Sequence, residues 1–223
     1  MTTEARPTSL TLDDAETVSG LVQSPPAPRA CYVLAHGAGA GMSHAFMAAV
    51  ADGLAGRGIA TLRFQFPFME RGSKRTDSPA VAHAAVRAAV AHAAGLFPAL
   101  PLFAGGKSYG GRMSSQAQAL APLPGVAGLV FLGFPLHPAG APSSDRARHL
   151  FEVRTPMLFV QGTRDKLAEF ERIEKLVTEL GPLATLLRID EADHSFHVLV
   201  RSGRNDAEVM QQILDGAAAW MLR

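Results

Sequence analysis

Six short apolar runs spaced by longer helical stretches restrict the fold of this chain more than any other feature. Residues 31–35, 59–64, 102–104, 126–132, 157–161 and 183–189 are nearly continuous in apolar side chains, as strands covered on both faces must be. The stretches 45–56, 79–96, 110–120, 167–180 and 206–222 have helical composition, several opening near Ser, Asp or Pro and closing near Gly. Parallel strands need crossovers of a dozen or more residues, and helices of this length supply them. The alternation therefore predicts an α/β fold: a mostly parallel twisted sheet with helices on both faces. A hairpin is expected at about 9–23, ahead of a Pro-rich link at 24–28. Two irregular segments, 65–78 and 134–153, leave strand C-terminal ends, where open α/β sheets bind ligands. The second is too short for a multi-helix cap, so no large cap domain is expected and the site should be open. A length of 223 residues fits one domain over 1–223.

Composition removes several function classes. An apolar fraction of 48% with 18% charged residues suits a packed globular chain, and a net charge of +1 offers no basic face for nucleic acid or an anionic membrane. No run approaches the roughly 18 apolar residues of a membrane-spanning helix. The lone Cys31 has no disulfide partner, and residues 1–20 lack the apolar core of a signal peptide. A cytoplasmic protein is the expectation. No pair of histidines shows a metal-ligand spacing such as H-E-x-x-H, so neither metal nor cofactor is expected.

The chemistry centres on Gly105-Gly106-Lys107-Ser108-Tyr109-Gly110-Gly111, which follows an apolar run. A G-x-S-x-G turn between strand and helix lifts a serine clear of the sheet, and its glycines allow strand and helix to approach. In a chain with 21 glycines the pattern alone carries little weight. Gly106-Lys107-Ser108 also imitates the end of a phosphate loop, but the first glycine of that motif would fall on Pro101. The partners decide the matter. Asp165 lies in the turn after run 157–161 and His194 in the loop after run 183–189, giving the order Ser, Asp, His at strand ends. Asp190 and Asp193 are alternative orienters of the histidine. The loop His36-Gly37-Ala38-Gly39-Ala40-Gly41 follows the first parallel strand, and the amides of Ala38 and Tyr109 are predicted to face a developing oxyanion, with Gly39 as substitute for Ala38.

Substrate contacts are expected from Gly39, Phe68, Lys107 and His137, with His44 as a further candidate; His36 is read as shaping its loop. Phe66, Phe68 and Met69 either line an apolar acyl pocket or pack beneath their own loop. Lys107 is either a solvated side chain or, with Arg71, Lys74 and Arg75, a draw for an anionic acyl group.

H-G-A-G-A-G, G-K-S-Y-G-G-R, G-T-R-D and D-H-S-F, in this order, resemble the α/β-hydrolase superfamily over nearly the whole chain. More narrowly, the elbow and Arg63-Phe64-Gln65-Phe66-Pro67-Phe68-Met69-Glu70 are similar to a small family of dienelactone-hydrolase-like proteins that includes a testis-expressed hydrolase-like protein and a histone acetyltransferase complex subunit. That resemblance implies the fold and a Ser108-His194-Asp165 triad; with the open site, the expected reaction is cleavage of an ester or related acyl bond of a small or exposed substrate through an acyl-enzyme. Its chromatin member supplies the alternative, a non-catalytic interaction module. Dienelactone hydrolases proper use cysteine where this chain has Ser108.

Overall fold

A computed structural model describes residues 4–12 and 16–223. Eight strands form one sheet: β1 (Arg6–Thr11), β2 (Thr17–Gln23), β3 (Ala30–Ala35), β4 (Ile59–Phe64), β5 (Leu102–Lys107), β6 (Val126–Leu132), β7 (Met157–Gly162) and β8 (Ala184–Ile189). Their spatial order is β1-β2-β4-β3-β5-β6-β7-β8, antiparallel at β1-β2 and β2-β4 and parallel from β4 to β8. The expected hairpin is β1-β2; residues 13–15 between its strands lie outside the described residues.

Helices α1 (Ala45–Ala55) and α6 (Asp206–Met221) cover one face of the sheet. On that side Tyr32, Leu34, Val130 and Leu132 pack against Met47, Leu54, Ile213 and Trp220. Helices α3 (Pro79–Leu96), α4 (Tyr109–Leu120) and α5 (Phe170–Leu180) cover the other, closing Val33, Phe131 and Phe159 under Val86, Met113 and Ile173. Two apolar layers thus fix the strands, and their C-terminal ends meet at one edge. A short α2 (Pro67–Glu70) lies within the first irregular segment and a 3-10 stretch, Asp145–Glu152, within the second. Among the described residues nothing larger is inserted after β6, in keeping with the expected lack of a large cap. None of the described helices is long and apolar enough to cross a membrane.

Among the parallel strands and the helices expected from sequence, two boundaries differ by more than one residue. Strand β5 runs on to Lys107, because Gly105 and Gly106 stay paired with β3 and β6 on either side. Helix α5 starts at Phe170 and not at residue 167, because the Leu167 N–H donates to Asp165 Oδ1 at 2.8 Å and wraps the chain around that carboxylate.

The 3-10 stretch carries a pH liability. His149, half-buried with Nε2 2.7 Å from Ser115 Oγ, has its pKa pushed down to about 4 by burial and then by Arg112 and His83. The unfolded chain takes up a proton near 6.5 that the folded chain refuses until about 4, so stability falls as pH drops through that window, by up to about 3 kcal/mol. Thermal unfolding of wild type and His149→Gln across this range checks it. The variant should show a flatter acid limb, and identical limbs would remove the assignment.

Candidate active site

The elbow is built by close approach. A Cβ on Gly106 would lie 2.0 Å from the Ala35 carbonyl oxygen, and one on Gly110 would lie 2.5 Å from the same atom, so both positions require glycine. Ser108 sits between them at φ 50°, ψ −110°, a conformation costing a non-glycine residue about 1–3 kcal/mol. Its N–H donates to Leu132 O at 3.2 Å, pinning the turn to β6.

Three strand ends bring their side chains together. His194 Nε2 lies 2.9 Å from Ser108 Oγ and its Nδ1 lies 2.7 Å from Asp165 Oδ2. A carboxylate oxygen can only accept from an imidazole N–H, so Nδ1 carries the proton and Nε2 presents a lone pair to the serine hydroxyl. Asp165 is 5% exposed. It accepts two further bonds, from Gln161 Nε2 at 2.7 Å and from the Leu167 N–H. Gln161 is held in turn by the Phe134 N–H at 2.9 Å. The alternative orienters are occupied elsewhere: Asp190 pairs with Arg188, and Asp193 accepts the N–H groups of Ser195 and His197.

The loop after β3 reaches the same place. His36, fully buried, donates from Nδ1 to Gly37 O at 2.7 Å and accepts the Phe66 N–H on Nε2 at 3.0 Å. Burial holds its pKa down, keeping it neutral as a brace between two loops. Ala38 and Gly39 line a cleft of about 450 Å³ together with Ser108, His194, Lys107 and His44. Tyr109 is the first residue of α4, where a backbone N–H has no acceptor within its helix. Apolar lining comes from Phe46, Met47 and Leu167.

Two expected substrate contacts are corrected. Phe68 is 1% exposed and packs on Phe66, Tyr109 and His36, beneath its loop and outside the cleft. His137 is equally buried, bonded to Pro138 O and to Glu169 at 2.9 Å, and joins two loops. Apolar aromatics win burial when a sheet edge offers it, and this loop folds inward. Lys107 is neither solvated nor directed wholly at solvent; its ammonium bonds the His194 carbonyl. Gln161 escaped sequence reading, although a single amide ending the otherwise apolar run Met157-Leu158-Phe159-Val160 was its signal.

Residues 28–222 match the family model described as an alpha/beta hydrolase domain. The chain belongs to the α/β-hydrolase family. This α/β-hydrolase is similar in structure to a dienelactone hydrolase from Anabaena variabilis, with a TM-score of 0.81 at 19% identity over 100% of this chain and 98% of that one. It is also similar to an α/β serine hydrolase without lid from Xanthomonas campestris (TM-score 0.76, 20% identity, 99% and 96% covered) and to the esterase domain of a Rhodothermus marinus protein (0.74, 16%, 99% and 98%). At such identities the likeness concerns the fold. Among the described residues of this α/β-hydrolase, no group of three or more His, Cys, Asp or Glu could hold a metal ion.

Proposed function

We propose that this protein is a serine hydrolase that cleaves an ester or related acyl bond of a small or exposed substrate through an acyl-enzyme. The observation that carries this reading is the unbroken hydrogen-bonded line Ser108–His194–Asp165 opening onto a partly apolar cleft. Ser108 Oγ attacks the acyl carbon while His194 Nε2 takes its proton, and Asp165 stabilises the imidazolium that forms. The oxyanion draws the N–H groups of Ala38 and Tyr109, each worth about 3 kcal/mol in the transition state. Collapse expels the alcohol, which receives the proton from His194. Water then attacks the acyl-enzyme with His194 again as base, releasing the acid and free Ser108.

The cleft favours short acyl chains: Phe46, Met47 and Leu167 offer apolar contact, while among the described residues no large cap stands over the site to bury a long one. A fluorophosphonate probe and a p-nitrophenyl ester series from acetate to octanoate test both parts. We expect labelling of wild type and none of Ser108→Ala, with acetate to butyrate turned over fastest. Folded wild type that takes no label would leave the interaction-module reading in its place.

A further inference from the structure

Lys107 is the elbow residue that this chemistry leaves unused. It ends β5 one position before Ser108, paired with Leu132 of β6. Its side chain passes over Gly133, where a Cβ would lie 2.9 Å from Nζ, and donates to the main-chain oxygen of His194. Among the described residues no turn or loop N–H donates to that oxygen. The ammonium lies 4.7 Å from the Phe196 ring centroid and 5.7 Å from that of Phe46, and the two rings stack at 5.8 Å. Phe196 itself holds φ 65°, an uncommon conformation for a bulky residue. His194 therefore rides on a tight turn whose strained member covers the lysine.

We propose that Lys107 is a positioning residue for His194: its ammonium, seated against Phe196 and Phe46, ties the histidine loop to the strand that presents Ser108. The inference rests on the serine-hydrolase reading above. One rigid strand end then sets both reacting partners, so the 2.9 Å contact between Nε2 and Oγ does not depend on the loop alone. A displacement of about 1 Å at such a contact costs on the order of 100-fold in rate.

The charges facing Lys107 are Asp165 and Asp193, with His194 beside it and His44 lining the same cleft. Burial lowers the lysine pKa to about 8 and the two carboxylates hold it up against a further fall. The ammonium is thus present at neutral pH and lost above about 8, when both the charge-assisted bond and the attraction to the rings weaken. Methionine keeps the apolar stem and removes a desolvated charge but leaves the His194 oxygen without its donor, so a Tm loss of no more than about 4 °C is expected.

The test compares wild type, Lys107→Met and Lys107→Arg with p-nitrophenyl acetate and the fluorophosphonate probe from about pH 6 to about pH 10, alongside thermal unfolding. The wild-type rate should fall above pH 8. Lys107→Met should lose about 10–100-fold in kcat with KM changed less than about 2-fold, no basic limb and a Tm within about 4 °C of wild type. Lys107→Arg should recover most of the neutral-pH rate and move the basic limb upward, because guanidinium keeps its proton. Equal rates and profiles for wild type and Lys107→Met overturn the inference, as does a Tm loss in Lys107→Met of more than about 4 °C. Proton NMR of the His194 Nδ1–H gives a readout without turnover. Its downfield signal should persist in wild type and Lys107→Arg and broaden in Lys107→Met; an unchanged signal in Lys107→Met also overturns the inference. A wild type inert to both probes would fail the hydrolase reading instead.

Discussion

Ser108→Gly is expected to give a protein more stable than Ser108→Ala and equally inactive. The serine occupies φ 50°, ψ −110°, where a Cβ is strained and glycine is not. Alanine keeps that strain and loses the proposed nucleophile; glycine loses both. Against a relief of about 1–3 kcal/mol stands the greater chain entropy of unfolded glycine, about 0.5–1 kcal/mol, so the net gain is on the order of 1 kcal/mol. For a chain of this length that is about 2–4 °C in Tm. Activity should fall by about 10⁵–10⁶ in both variants, since among the described residues Ser108 supplies the hydroxyl bonded to His194 Nε2. Calorimetry of the two variants decides the stability claim, and a lower Tm for Ser108→Gly would show that the elbow stores no strain.

The second large effect is expected at Asp165. Its carboxylate accepts from His194, Gln161 and Leu167 at once. Asparagine has a single acceptor oxygen, and its amide would face one of those donors. The imidazole then loses the partner that keeps its proton on Nδ1, and the tautomer with Nε2 protonated cannot take the serine proton. A loss of about 10⁴ in kcat with KM nearly unchanged is the expected outcome for Asp165→Asn. Asp190→Asn, by contrast, should stay within about 2-fold of wild type, because that carboxylate pairs with Arg188 on the surface. Steady-state kinetics on one ester compares them. Similar losses in both variants would sink the assignment of Asp165 as orienter.

Much of this arrangement was legible before any coordinates. Continuous apolar runs can be buried on two faces only in a covered sheet, which gave strand positions from β3 to β8 closely. Ser108, Asp165 and His194 were legible because each follows a run directly, and strand ends in such a sheet converge. The less regular segments were not. Phe68 and His137 follow strand ends as well, yet one folds under its loop and the other bridges to Glu169. Side-chain direction in a loop depends on which neighbour offers burial or a hydrogen bond, and those neighbours are remote in sequence.

The sequence by itself determined the sheet, the order of the three polar residues and the glycines that the elbow demands, because these follow from local periodicity and local sterics. Only the tertiary structure decided the direction of Lys107, the brace of Gln161 on Asp165 and the choice of Asp165 over Asp190 and Asp193. The contacts of Lys107 and Asp165 with the His194 loop cross separate strand ends, and the Gln161 amide is turned toward Asp165 by the Phe134 N–H from the end of β6. There, distances of a few ångströms, set by packing of both apolar layers, select one partner among several of the same chemistry.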